Sequence, residues 1–182
     1  MRIVAGRWRG RPLATPAGQA TRPTAERARE ALFSMLVSRL GDFEGLAVAD
    51  LFAGSGALGL EALSRGAASC VFVENDRAAI AAIRSNIARL GAEAQAELRP
   101  VAVETLGPAP RPCDLLLLDP PYESNFAVPV LERLLRLGWL APGGWATVET
   151  ARGAPVAPDG FSVEAERTYG KARITLLRDA RA

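Results

Sequence analysis

Histidine is absent from the 182 residues, lysine occurs once, at Lys171, and cysteine twice, at Cys70 and Cys113. The first absence removes the commonest general base and the commonest metal ligand, so the chemistry is expected to run without an imidazole and without a metal. Two cysteines, each at the edge of a hydrophobic run, suit reduced and buried thiols rather than a disulfide framework or a metal site. Also missing is any stretch of the about 20 apolar residues that a membrane span needs. Residues 1–13 are interrupted by Arg2, Arg7, Arg9 and Arg11 where a signal peptide would carry an apolar run. The expectation is a soluble, cytoplasmic chain with no membrane partner. With 49% hydrophobic residues, a chain of this length suits one compact α/β core with a short appendage. Nothing in it demands more than a monomer.

Acidic residues are scarce at the start of the chain. Residues 1–40 hold eight arginines against Glu26 and Glu30, a net +6, which leaves −4 for the rest of a chain whose total is +2. Clustered cations of this kind suit a phosphate-binding arm, because each neutralised phosphate releases a counterion. A solvated arginine-rich surface in a chain almost without lysine is the competing reading, and composition alone leaves the two open.

The opening, residues 2–13, reads as two short extended pieces around Gly6 and Gly10, a hairpin-like arm. Thr24 is placed to cap a helix reaching about Leu40, with Ala28, Leu32, Met35, Leu36 and Leu40 on one face, and Gly41 to stop it. Strand and helix then alternate: 46–52 strand, 56–65 helix, 69–75 strand, 77–90 helix with Asp76 as cap and Gly91 as its terminator. A βαβα series implies a parallel sheet with right-handed crossovers. A weaker strand is expected over 96–101. The run Asp114 to Asp119 is too apolar for a solvent-facing strand and belongs at the sheet's buried centre. A helix over 126–137, a turn at Gly143-Gly144, a strand over 145–150 and a closing hairpin, 161–167 with 173–177, complete the reading.

Two motifs carry chemistry. Asp50-Leu51-Phe52-Ala53-Gly54-Ser55-Gly56-Ala57-Leu58-Gly59 runs a strand into a glycine-rich turn and a helix, with Gly54, Gly56 and Gly59 in G-x-G-x-x-G spacing and Glu74 about 20 residues further on. Glycines let a ligand approach the backbone, the helix start offers free amides, and Glu74 would accept from ribose hydroxyls. This points to a nucleoside-containing cofactor without separating a dinucleotide from S-adenosylmethionine. The second motif, Asp119-Pro120-Pro121-Tyr122, follows the buried fourth strand where open α/β sheets bind ligands. Two prolines rigidify the loop, so a carboxylate and backbone carbonyls can face an amine while an aromatic ring stacks on the base carrying it. Methylation of an exocyclic amine needs in-line placement and somewhere for the proton's charge to go, and neither requires histidine.

Together these blocks resemble class I methyltransferases acting on exocyclic amines. The whole chain resembles the RsmD family of bacterial small-subunit ribosomal RNA guanine-N2 methyltransferases. The likeness is carried by Arg2-Ile3-Val4-Ala5-Gly6 with Arg9-Gly10-Arg11, Arg22-Pro23-Thr24 with Arg29-Glu30-Ala31-Leu32-Phe33, Asp50 to Leu63, Asp119 to Tyr122, and Gly138 to Gly144. It implies a Rossmann-like α/β fold: a mostly parallel seven-stranded sheet with helices on both faces and a C-terminal antiparallel hairpin. It divides the chain into a basic RNA-binding arm over 1–23 and an S-adenosylmethionine-dependent methyltransferase domain over 24–182. By the resemblance, Asp50 and Phe52, Ala53, Gly54, Ser55 and Gly56 line the cofactor's methionine part, Glu74 with Asn75 holds the ribose, and the Ala102 amide meets the adenine. Asp119 and the Pro120 carbonyl orient the guanine amine on the loop that Pro121 stiffens, and Tyr122 stacks on the base. Arg7, Arg9, Arg11, Arg22 and Thr24 contact 16S ribosomal RNA, free or within the assembled small subunit. Three other readings remain at this point: a DNA adenine-N6 or cytosine-N4 methylase, which needs room for a sequence-reading domain; a nicotinamide-dependent oxidoreductase, which leaves Asp-Pro-Pro-Tyr unexplained; and a non-catalytic RNA-binding protein, in which Asp119 would be dispensable.

Overall fold

A computed structural model describes residues 1–16, 23–121 and 126–181, with the backbone alone for 23–25. The chain runs α1 (Pro23–Leu40), β1 (Ala47–Leu51), α2 (Ala57–Ser64), β2 (Ser69–Val73), α3 (Arg77–Leu90), β3 (Ala96–Arg99), a 3-10 turn (Val103–Thr105), β4 (Cys113–Leu118), α4 (Ala127–Arg136), β5 (Leu140–Ala151), β6 (Phe161–Tyr169) and β7 (Ala172–Asp179). The seven strands form one sheet in the order β3-β2-β1-β4-β5-β7-β6. β1 pairs in parallel with β2 and β4, and β4 with β5, while β7 is antiparallel to both β5 and β6. The expected mostly parallel sheet with a closing hairpin is therefore present. Its order reverses between β1 and β4, which makes the crevice beyond Leu51 and Leu118, partners in register, the topological switch point.

Two hydrophobic layers flank the sheet. α1, α2 and α3 pack on one face through Phe33, Leu36, Leu60, Leu63, Ile83 and Ile87, and α4 on the other through Leu131 and Leu134. Leu115 to Leu118 of β4 are buried on both faces, as a central parallel strand requires. α3 has the ends its sequence announces: the Asp76 carboxylate accepts from the Ala79 amide at 2.8 Å, and Gly91 leaves the helix at φ 65°. Cys70 and Cys113 are free and buried.

The first residues form the expected hairpin, with Ile3 donating to the Arg11 carbonyl at 3.0 Å and Gly10 to the Ile3 carbonyl at 2.9 Å. Its Ile3, Trp8 and Leu13 side chains enter the same core as α1 to α3. Glu61 of α2, fully buried, fastens it: the carboxylate accepts from the Val4 and Ala5 amides at 2.8 and 2.9 Å and pairs with Arg65 at 2.9 Å and Arg29 of α1 at 3.8 Å. Arg29 also donates to the Arg2 carbonyl. Gly6 lies so close to Ser64 that a Cβ there would sit 1.9 Å from its carbonyl oxygen.

Two expectations need correction. α1 starts at Pro23, so Thr24 lies inside the first turn rather than at the cap; proline suits that place because its fixed φ and missing N–H cost a helix nothing there. β5 begins at Leu140 and runs through Gly143-Gly144 instead of turning there. The pairing with β4 slips between Cys113 and Leu115, and Gly143 at φ 71° takes up the extra residues as a bulge. A short apolar run flanked by Gly-Gly reads locally as turn plus strand, whereas the sheet keeps both sides paired.

Candidate active site

β1 delivers Asp50 and then a turn built around glycine. Phe52 sits at φ 60°, a left-handed conformation that costs a non-glycine residue of order 1–3 kcal/mol and recurs at ligand sites. Gly54 has φ 56° and open space where a Cβ would point, so a ligand can lie against its backbone. Gly56 starts α2 at φ 78°. A Cβ on Gly59 would stand 2.5 Å from the Phe72 ring and 2.6 Å from the Cys70 sulfur, so this third glycine lets helix and sheet close together. The three glycines thus do three different jobs: ligand approach, helix entry and helix–sheet packing.

Carboxylates gather around this turn. Asp50, 1% exposed, accepts from the Gly59 amide at 2.8 Å through Oδ2, while its Oδ1 is buried with no hydrogen-bond partner among the described residues. Burial holds its carboxyl well above the ordinary value, the Gly59 hydrogen bond opposes that, and the charges of Asp119 and Glu74 add to it. Glu74, beyond the end of β2, accepts from Gly54 at 2.8 Å through Oε2 and from Asn75 and Asp76 at 2.8 and 2.9 Å through Oε1. It clamps the glycine turn to the end of β2, and its oxygens keep lone pairs for hydroxyl donors. Asp119, the first residue after β4, is solvent-exposed at the crevice. Desolvation there, then the charge of Glu149, push its carboxyl up to about 7. Pro120 is buried and Pro121 exposed.

A cleft of about 130 Å³ opens between Phe52, Glu74, Asn75, Val101, Pro121 and Phe126, with Val103 and Glu104 at its far side. Phe126 is 47% and Val101 39% exposed, so the cleft has an apolar wall beside its acidic one. Ala102, between Val101 and Val103, accepts through its carbonyl from the Thr105 amide and hydroxyl at 3.0 and 2.8 Å. A larger concavity, about 380 Å³, lies between Arg7, Arg65 and Gln95 at the end of α2. That is the amino end of the sheet, opposite the carboxyl ends where open α/β sheets bind ligands, so its size does not make it the reaction site.

The sequence-predicted residues divide accordingly. Asp50, Phe52, Ala53, Gly54, Ser55, Gly56, Glu74, Asn75, Asp119, Pro120 and Pro121 converge on the switch point. Arg7 does not: it caps the far end of α2, stacks over Trp8 at 4.0 Å and donates to Gln95. Arg9 and Arg11 are exposed on the arm. Arg22 and Tyr122 lie outside the described residues, as does the side chain of Thr24. Three contributors went unnoticed in the sequence. Glu149 bears on Asp119, and Glu61 holds the arm. Asn86 of α3 joins the Ala14 amide and carbonyl to the Ser55 carbonyl at 2.7, 2.9 and 2.9 Å, coupling the arm to the glycine turn. A carboxylate at the carboxyl end of β5, one strand from Asp119, is the signal that could have revealed Glu149.

The family model described as "Conserved hypothetical protein 95" matches residues 1–178. The chain is 36% identical over 180 residues to Ribosomal RNA small subunit methyltransferase D of Escherichia coli (strain K12), spanning 98% of this chain and 89% of that protein. It is 36% identical over 175 residues to the Haemophilus influenzae protein of the same name, at 93% and 89% coverage. Among solved structures it superposes on yhhF from Escherichia coli with TM-score 0.85 at 34% identity, covering 100% and 99% of the two chains. Magnesium protoporphyrin IX methyltransferase from Synechocystis, 16% identical, shares the fold at TM-score 0.65. With the glycine turn, the Glu74 clamp and the Asp-Pro-Pro loop assembled at one switch point, and with similarity along nearly its whole length, the chain belongs to the Conserved hypothetical protein 95 family, the RsmD family whose sequence blocks it carries.

Proposed function

We propose that this protein transfers a methyl group from S-adenosylmethionine to the N2 amine of one guanine in 16S ribosomal RNA, acting in the cytoplasm as a monomer. The observation that carries the reading is the ring of carboxylates at the switch point, Asp50, Glu74, Asp119 and Glu149, beside a glycine turn with open space at Gly54. A cofactor bearing both an ammonium and a sulfonium group fits the Asp50 and Glu74 side of this ring, and the Asp119 and Glu149 side is left to the acceptor base. Asp50 Oδ1, without a hydrogen-bond partner among the described residues, and the repulsion between Asp50 and Glu74 call for positive charge, and the apolar wall of Phe52 and Val101 suits an adenine face. Asp50 and Phe52 to Gly56 would hold the methionine part, Glu74 and Asn75 the ribose, and the Ala102 amide, between Val101 and Val103, the adenine. When bound, the cofactor supplies an electrophilic methyl group.

The chain's own residues do the rest. Pro120 and Pro121 stiffen the loop after β4, so Asp119 and the Pro120 carbonyl stay aimed at the amine without ordering cost at each turnover. Asp119 accepts a hydrogen bond from the amine as positive charge develops on its nitrogen, then takes the proton. Its raised proton affinity suits that task near neutral pH, since a carboxyl of ordinary value would be a weak acceptor. Tyr122 stacks on the base, and residues 1–23 serve as the RNA-binding arm, with Arg9 and Arg11 exposed for phosphate contacts. The test is transfer from S-adenosylmethionine to small ribosomal subunits lacking native guanine methylation, with the product mapped by mass spectrometry. A single methylated guanine is expected. Methyl on an adenine or cytosine, or none on RNA, would overturn the reading.

A further inference from the structure

Asp-Pro-Pro-Tyr accounts for an amine but not for which base carries it, because adenine, cytosine and guanine all present one. The difference lies in the ring nitrogen beside the amine. In adenine and cytosine that nitrogen is an acceptor, whereas guanine carries an N1–H donor next to its N2 amine. An ionised carboxylate only accepts. One acidic side chain can therefore hold any of the three amines, but two side by side match guanine alone.

The sheet sets two side by side. In the parallel β4–β5 pair, Leu117 is level with Thr147 and Leu118 with Val148, so the next rung holds Asp119 and Glu149. Neighbouring strands lie about 4.8 Å apart, a spacing from which two flexible carboxylates can reach adjacent donors on one base edge. Glu149 is half-buried, fixed on its other side by the pairing of β5 with Ile174 of β7. Its charge is felt at Asp119. Glu149 has interactions of its own within the chain, and a carboxylate with about four lone-pair sites can serve them and a ligand donor together.

We propose that Glu149 is a specificity-determining residue, its carboxylate accepting from guanine N1–H while Asp119 and the Pro120 carbonyl hold the N2 amine. An adenine or cytosine placed on the same loop would turn a ring lone pair toward Glu149 and leave a carboxylate facing an acceptor. The site thus selects by repulsion as well as by attraction. The inference rests on the guanine-N2 reading above.

The test compares kcat/KM for RNA carrying either guanine or 2-aminopurine at the mapped position, the latter keeping the N2 amine but presenting an acceptor at N1. The wild type should favour guanine by roughly 10- to 100-fold, the range of one charge-assisted hydrogen bond. In Glu149→Ala, which leaves neither acceptor nor donor at that place, the preference should collapse toward one through loss on guanine, with S-adenosylmethionine affinity unchanged. Glu149→Asp, which keeps the acceptor at shorter reach, should retain part of it. An unchanged preference in both variants, or equal losses on the two bases, would overturn the inference and leave the guanine reading standing. No transfer by the wild type to either base would instead overturn that reading.

Discussion

Replacing Glu61 with alanine removes a side chain on which the arm, α1 and α2 converge. Its carboxylate is fully buried, accepts from Val4 and Ala5 at 2.8 and 2.9 Å, and pairs with Arg65 and with Arg29, itself only 6% exposed. Deleting one partner of a buried ion pair costs about 3–5 kcal/mol because the other charge stays behind in low dielectric. The total stability of such a domain is about 5–15 kcal/mol. At about 2–4 °C per kcal/mol for a domain of this size, Glu61→Ala should lower Tm by roughly 6–20 °C. Calorimetry and urea titration would measure the loss. Hydrogen exchange would locate it, with the Val4 and Ala5 amides losing protection before those of β4. A loss under about 1 kcal/mol, with the arm amides still protected, would refute the claim that this carboxylate holds the arm to the core.

Asp50→Asn tests the cost of the acidic ring. Because burial raises the folded-state value of Asp50, its contribution is fully present below the unfolded carboxyl range and lost as pH rises through the folded value. The variant should therefore be more stable than the parent at about pH 8, with the gain vanishing near pH 4, and should bind S-adenosylmethionine more weakly by calorimetry. Gly54→Ala places a methyl in open space at φ 56°; it should cost about 1–2 kcal/mol of stability yet weaken cofactor binding at least about tenfold, and unchanged affinity would remove the turn from the cofactor site. On the arm, Arg9→Ala and Arg11→Ala should each flatten the slope of log RNA affinity against log salt by about one unit. Arg7→Ala should do less, since Arg7 is already committed to Gln95 and Trp8.

Much of this was legible from local signals. Strand–helix alternation, the Asp76 and Gly91 ends of α3 and the glycine spacing each act within a few residues, so the sequence displays them directly. What stayed hidden acts at a distance. Glu61 meets Val4 across 57 positions and Asn86 meets Ala14 across 72, and no periodicity marks such pairs. For Glu149 the local signal, a carboxylate late in β5, does not name its neighbour, which is set by β4–β5 register and shifted by the Gly143-Gly144 bulge. The hairpin places Arg7 at the far end of α2, a position its charge alone does not reveal. Composition reports the charge, but not that the Arg7 amide bonds the Ser64 carbonyl and its guanidinium Gln95.

The central claim is that Asp119 receives the amine's proton at a site built for S-adenosylmethionine. The most direct test is single-turnover methyl transfer to undermethylated small subunits across pH, wild type against Asp119→Ala, with cofactor affinity measured in parallel. The wild-type rate should fall about tenfold per pH unit below about 7, where Asp119 becomes protonated. Asp119→Ala should lose at least about a hundredfold in rate while binding the cofactor as tightly as the parent. A variant that keeps the wild-type rate and pH profile would contradict the account.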